Sequence, residues 1–324
     1  MIMTEITTVS KLEERKARLQ PIIDNALKNG RMIDKTMMPI EDWLVLRAMI
    51  GLGASDVSSA MNLNEYKSPY ELWREKLVEE VTTKDNDWMW FGRESEDLIA
   101  KGYSRMTGRE VMEDPYIRIH PEHDHIFANL DRIITDNGDG KGPGVLECKS
   151  TEYNVYKTWL ESIPINYYCQ IQSELSVTGF KWAVMAVLVG RKIKIIPIER
   201  DEEFIQKQNK FLVAWYNGYV KAVVPPERRA ADFAYVDPIS ETVKEADEEI
   251  TLVVDELKEK QEQAKLINKE VADLKDKIKE FIGDNEGLVR QGELIATYKM
   301  INKKEYVVPA KSYRELRFKT KKGE

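Results

Sequence analysis

Asn129-Leu130-Asp131-Arg132-Ile133-Ile134, a turn of Asp136-Asn137-Gly138-Asp139-Gly140-Lys141-Gly142-Pro143-Gly144, then Val145-Leu146-Glu147-Cys148-Lys149-Ser150: on this stretch the fold is decided. Residues 126–134 and 144–150 have the apolar, β-branched character of strands. The glycine-rich segment between them folds the chain back. Period-2 alternation puts Glu147 and Lys149 on one face of the second strand. Antiparallel pairing brings Asp131 beside them. Two carboxylates and a lysine on one sheet face are costly to desolvate without a purpose. Phosphodiester hydrolysis supplies one. Oxygens from Asp131 and Glu147, with the Cys148 backbone carbonyl between them, suit Mg²⁺, with Mn²⁺ as the alternative. Such an ion polarises a phosphate and lowers the pKa of a bound water. Lys149 orients or activates that water and offsets developing charge. A surface salt-bridge ladder across a hairpin accounts for the same residues, and both readings stand at this point.

Working outward, short strand-like runs at 110–112 and 116–120 precede the pair, and 182–189 and 194–198 follow it, joined by a Gly190-Arg191 turn. Helices are expected over 11–29, over 57–63 after a Gly51–Asp56 loop and cap, from the capping signal at Ser68-Pro69-Tyr70-Glu71, over 88–107 to Gly108, over 167–178, and over 201–219 before Pro225-Pro226. Glu96, inside the 88–107 helix, is either a further metal carboxylate or an ordinary exposed helix residue. Gln170 and Gln172 lie among apolar neighbours and need hydrogen-bond partners, a role that a water or a DNA phosphate can fill. The pattern predicts an α/β fold, a central mixed sheet flanked by helices over residues 41–238, behind a helical preface at 1–40.

The pattern changes after 238. Ile250, Val253, Leu257, Lys260, Ala264, Ile267, Val271, Leu274, Ile278 and Phe281 alternate three- and four-residue spacings, an a/d seam. It predicts a long helix within 239–285, ~42 residues and roughly 60 Å. The seam suits a coiled coil between subunits or packing against the chain's own helices. Residues 286–324 read as a basic β-hairpin tail, from runs at 288–300 and 306–318. Residues 290–324 carry 10 basic against 4 acidic side chains, although the whole chain is acidic at −7. Overall charge therefore does not itself point to nucleic acid.

No apolar run approaches the roughly 18 residues of a membrane span, and residues 1–20 lack the apolar core of a signal peptide. A cytoplasmic protein is expected. Two cysteines, Cys148 and Cys169, exclude a disulfide framework, a zinc module and four-cysteine iron–sulfur ligation within the chain; they are read as packing residues. His120, His123 and His125 read as a polar turn rather than a metal site, and Trp88, Trp90 and Trp182 as core.

Several short motifs occur in order: Trp43…Arg47 with Gly51-Leu52-Gly53-Ala54-Ser55-Asp56, Tyr66-Lys67-Ser68-Pro69-Tyr70-Glu71-Leu72-Trp73, Phe91-Gly92-Arg93…Glu96, Asn129-Leu130-Asp131, Leu146-Glu147-Cys148-Lys149 and Gln170-Ile171-Gln172. Together they resemble the lambda-exonuclease family of the PD-(D/E)xK superfamily, and more closely the YqaJ-type viral recombinase nucleases of phages and prophages. The resemblance covers roughly residues 41–238, with Leu130 where the motif name has proline. It implies that Glu96, Asp131 and Glu147 bind metal, that Lys149 serves the attacking water with Gln170 assisting, and that Arg47 and Ser55 bind the terminal 5′-phosphate of duplex DNA. An arginine fork and a helix N-terminus suit that anion; the alternative is that Arg47 pairs with Asp42 or Glu41 on its own helix. The implied activity is 5′-to-3′ digestion of double-stranded DNA ends. The 3′ single strands left behind would go to a single-strand annealing recombinase, and the enzyme would be a homo-oligomeric ring, a trimer among the candidates, in a bacterial host cell. A structure-selective or sequence-specific endonuclease and a catalytically idle DNA-binding scaffold are the rival readings.

Overall fold

A computed structural model of the chain describes residues 2–77, 87–159, 162–229, 232 and 244–299, with side chains from residue 11 onward. It divides into two compact units, Met1–Ala234 and Tyr235–Glu324. The first unit opens with α1 (Ile2–Lys28), β1 (Met32–Asp34), α2 (Ile40–Ile50), β2 (Leu52–Gly53), a 3₁₀ turn at Ala54–Asp56, α3 (Val57–Ala60), α4 (Pro69–Leu77) and α5 (Asp87–Thr107). It continues through β3 (Val111–Met112), β4 (Tyr116–Ile119), β5 (Ile126–Asn129), β6 (Arg132–Ile134), β7 (Gly144–Thr151), α6 (Tyr153–Lys157) and α7 (Ile165–Thr178). β8 (Trp182–Val189), β9 (Lys192–Glu199) and α8 (Glu202–Trp215) follow, with a π-helical turn at Tyr216–Lys221. The second unit holds α9 (Glu248–Ile282), β10 (Gly287–Arg290) and β11 (Glu293–Thr297).

The expected α/β body is present, with one refinement: the strands form two sheets. One has the order β1-β4-β5-β2, the other β3-β6-β7-β8-β9. The run 126–134 is not one strand. It breaks at Leu130-Asp131, where the chain leaves one sheet and enters the other.

The five-stranded sheet is mixed, with β7 and β8 parallel and the other neighbours antiparallel. Its period-2 alternation sorts side chains cleanly between two helices. Leu146, Cys148, Val184 and Ala186 pack with Ile99, Ala100 and Tyr103 of α5. Val145, Ala183, Met185 and Val187 pack with Ile171 and Leu175 of α7 on the other side. Glu147 and Lys149 share the α7 face.

Local signals operate as the sequence predicts. Ser68 and Glu71 cap α4 reciprocally: Glu71 N–H donates to Ser68 Oγ at 3.0 Å and Ser68 N–H to Glu71 Oε2 at 2.8 Å. Gly108 and Gly179, both at positive φ, end α5 and α7. Trp182 is buried, but Trp88 and Trp90 are 76% and 54% exposed, contrary to expectation. The buried stripe of α5 begins only at Ser95, so its first turns meet no core.

Residues 1–40 do more than precede the sheets. Leu19, Ile23 and Ala26 of α1 are buried with Val45, Leu46 and Ile50 of α2, Ile117 of β4 and Phe127 of β5. β1 joins β4 antiparallel, Asp34 opposite Tyr116.

In the second unit α9 is 35 residues long, shorter than expected. Asp247 sets its start by accepting from Ile250 N–H at 2.9 Å. Its seam residues are exposed, from 37% at Leu257 to 77% at Phe281. The run 288–300 is not a single strand: it holds a hairpin of its own, β10 with β11, turning at Gln291-Gly292 with positive φ at both. The run 306–318 lies outside the described residues, as does most of the basic tail.

Candidate active site

Asp131 stands at the crossing between the sheets. β6 pairs with β7 so that Arg132 faces Leu146, which carries Asp131 alongside Glu147 and Cys148. Its Oδ2 accepts the Cys148 backbone N–H at 2.8 Å. Glu147 is 1% exposed. Its Oε1 receives Lys149 Nζ at 2.5 Å and Gln170 Nε2 at 2.6 Å. Its Oε2 is buried with no partner among the described residues. Lys149 Nζ also lies 5.3 Å from the centre of the Tyr167 ring, a cation–π contact. Asp131, Glu147 and Lys149 thus meet as strand pairing predicts, Gln170 lies with them where the resemblance implies, its partner being Glu147, and Glu96 joins them electrostatically from α5.

The acid groups are crowded. Burial, then the neighbouring Glu147 charge, pushes Asp131 up to about 7. Burial, then Asp131, pushes Glu96 up to about 7. Lys149 behaves oppositely: burial opposes its charge, but Glu147 and Asp131 outweigh burial and hold it above its ordinary range. It is therefore a fixed cation and hydrogen-bond donor.

One residue of this centre was not singled out from the sequence. Glu174, one helical turn beyond Gln170 on α7, is fully buried. Its Oε1 accepts from Gln170 Nε2 at 3.0 Å and its Oε2 has no partner among the described residues. Burial, then Glu147, pushes its carboxyl well above the usual range. The Gln170/Glu174 spacing of four was the available signal. Gln172, considered for the same site, is structural: it donates to Glu199 O at 2.8 Å and accepts from Asp201 N–H at 2.9 Å, tying α7 to the β9–α8 turn.

The donor set suits a hard divalent cation, offering carboxylate oxygens. Among the described residues no group of three or more His, Cys, Asp or Glu side chains is drawn together tightly enough to hold a metal ion as it stands. The unpartnered Glu147 Oε2 and the raised Asp131 and Glu96 are what a cation would satisfy. Cys148 directs its thiol to the α5 side, where burial pushes it up, and Cys169 is pushed up to about 11 by burial; both are inert packing groups. His120 accepts Glu122 N–H at 3.0 Å and His123 N–H at 3.2 Å on Nδ1, the polar turn expected.

A second cluster adjoins the first. Arg47 Nη2 donates to Ser55 Oγ at 3.1 Å, its guanidinium 4.6 Å from the Trp43 ring centre. The hydroxyl is on an exposed residue, so the pair opens to solvent. Asp42 does not hold Arg47: it is buried in ion pairs with Arg15 at 3.0 Å and Arg18 at 2.7 Å, both from α1. Glycines make the room. Gly51 has φ +140°, and a Cβ there would strike His125. A Cβ on Gly53 would sit 3.2 Å from Arg47 Nη2. Asp56 fixes the loop, accepting Gly53 N–H at 2.9 Å and pairing with buried Lys76 at 2.5 Å.

A carboxylate–lysine centre on a two-sheet α/β scaffold, with a cationic pocket beside it, is the class of site that these elements define. Residues 42–181 match the YqaJ-like viral recombinase domain. The uncharacterized protein YqaJ of Bacillus subtilis (strain 168) is 32% identical over 267 residues, 76% of this chain and 82% of that protein. The chain belongs to the YqaJ-like viral recombinase family. Among solved structures, the alkaline exonuclease LHK-Exo from Laribacter hongkongensis is similar with a TM-score of 0.48 and 23% identity, over 57% of this chain and 94% of that one. A phage-related exonuclease from Haemophilus somnus 129PT is similar with a TM-score of 0.43 and 13% identity, over 54% and 96%.

Proposed function

We propose that the protein is a divalent-metal-dependent exonuclease that digests double-stranded DNA 5′-to-3′ from 5′-phosphorylated ends, leaving 3′ single strands for annealing-type recombination. The observation that carries this reading is the buried, half-satisfied Glu147 beside two carboxyls raised to about 7. Glu96, Asp131, Glu147 and the Cys148 carbonyl would hold Mg²⁺, or Mn²⁺, which when bound polarises the scissile phosphate. Lys149, kept cationic, positions the attacking water and offsets charge on the phosphorus oxygens. Gln170 holds Glu147 and Glu174 with its amide nitrogen and so fixes the face on which Lys149 acts. Arg47 and Ser55 would grip the terminal phosphate; a monoester end carries more charge than an internal diester, so the pocket selects ends and thereby direction.

Within this reading the protein is a phage or prophage product acting in the cytoplasm of a bacterial host, beside a single-strand annealing recombinase. Among the described residues no helix is long and apolar enough to cross a membrane. The exposed α9 seam supports self-association.

The test digests end-labelled linear duplex, with and without 5′-phosphate, alongside covalently closed circles. The 5′-phosphorylated ends should be degraded faster, and Arg47→Ala should erase that advantage while linear duplex is still cut slowly. Equal rates on both ends for the unaltered protein, or brisk cutting of circles, would replace the exonuclease by an endonuclease of the same chemistry.

A further inference from the structure

Lys35 was part of no motif. It lies in Asp34-Lys35-Thr36-Met37-Met38-Pro39, within the preface at 1–40. The four-stranded sheet gives it a position. β1 ends at Asp34, opposite Tyr116 at the start of β4. β4 runs antiparallel to β5, with Ile117 opposite Asn129 near the end of β5. β2 is parallel to β5, with Gly53 beside Phe127. Three strands therefore end on the same side of the sheet. β1 delivers Lys35, β5 delivers Asp131, and β2 delivers Ser55. At ~4.8 Å per strand step, β1 ends about 10 Å from β5 and β2 about 5 Å from it. The roughly 15 Å from β1 to β2 matches about four nucleotides of one strand, at ~3.4 Å of rise each.

The local chemistry leaves Lys35 for a ligand. Its backbone N–H is tied to Pro115 O at 2.9 Å, which fixes the stem. Asp114, the acid that acts most strongly on it, has both oxygens in a fork with Arg118, at 2.7 and 2.9 Å. Burial lowers the half-buried ammonium from the ordinary lysine range, against the pull of Asp114, Asp131 and Glu96 and with the Arg47 charge adding to the lowering. It thus lies within the electrostatic reach of both the acid centre and Arg47.

We propose that Lys35, brought by β1 to the sheet end that also carries Asp131 and Ser55, binds a backbone phosphate of the DNA strand held at its 5′ end by Arg47 and Ser55. The proposal rests on the nuclease reading above. It makes residues 1–40 part of the DNA site: α1 neutralises Asp42 and leaves Arg47 available, and β1 supplies a further cation.

The experiment measures binding of a short blunt duplex carrying 5′-phosphates to the full chain across a salt series, with Ca²⁺ in place of Mg²⁺. Lys35→Ala should reduce the slope of log affinity against log salt by about 0.7–0.9, one phosphate contact. Lys35→Arg should restore it, and Lys35→Met should not. Under cleavage conditions Lys35→Ala should raise KM several-fold with kcat nearly kept. A Lys35→Ala protein with the wild-type melting temperature and an unchanged slope overturns the proposal. Lys35→Arg behaving like Lys35→Ala does so as well. A wild-type chain that binds no duplex sinks the nuclease reading itself, which is a separate result.

Discussion

Burial and neighbouring negative charge raise Asp131 and Glu96 to about 7, so a divalent cation bound there would compete with protons. Their folded-state values near 7 stand above the ordinary carboxylate range, so the fold binds these protons more tightly than the unfolded chain does. Their contribution to stability is full below about pH 4 and is lost as pH rises through about 7. The metal-free protein should accordingly melt at a lower temperature at about pH 8 than at about pH 5, and Mg²⁺ should restore more of the loss at the higher pH. Melting curves indifferent to Mg²⁺ at both values would remove these residues as ligands. Lys149→Ala should cost about 3 kcal/mol or more of transition-state stabilisation, roughly a hundredfold or greater in rate, while DNA binding persists on many phosphate contacts. A folded Lys149→Ala protein with a tenth of wild-type activity rejects the assigned role. Asp131, Glu147 and Lys149 were legible because strand alternation fixes which side chains share a face. Glu174 was not, since an isolated buried glutamate looks like any helix glutamate until its neighbours in space are known.

At the scale of elements, the 3₁₀ turn before α3 and helix α4 are joined by Asp56 and Lys76, whose side chains are 7% and 5% exposed. Burial opposes ionisation of Asp56, but Lys76 and then Arg47 overcome it and hold the carboxyl down at about 2. A depressed carboxyl stabilises the fold above its unfolded value and loses that contribution as pH falls from about 4 through about 2. Lys76→Met leaves the carboxylate buried without its counter-charge. The expected cost is about 3–5 kcal/mol in denaturant unfolding, with the loop that bears Ser55 released. A variant as stable as wild type would show that the pair is dispensable. Capping signals and glycine stops placed α4, α5 and α7 from sequence alone. The break at Leu130-Asp131 escaped notice because both halves of 126–134 are equally strand-like, and only pairing decides which sheet each joins.

Across the whole molecule, the catalytic unit and the long helix obey different rules. The first is held by two-sided burial, whereas α9 carries an apolar seam along an otherwise charged surface. The periodicity revealed the seam but not its partner, because an a/d pattern is satisfied by any complementary helix. Leu257→Glu with Leu274→Glu should lower the solution mass toward that of one chain while the circular-dichroism melting of the first unit is kept. An unchanged mass would mean that subunits meet elsewhere, or that the chain was never oligomeric.

The crossing at Asp131 has a consequence for how the protein fails. Its carboxylate is carried by the link between two sheets, and among the described residues it is aligned by one hydrogen bond, from Cys148 in the second. Slippage of either sheet by a fraction of an ångström misplaces that oxygen long before either hydrophobic core opens. Gradual heating should therefore extinguish turnover while secondary structure still looks intact, so lost activity is the early warning and lost ellipticity the late one.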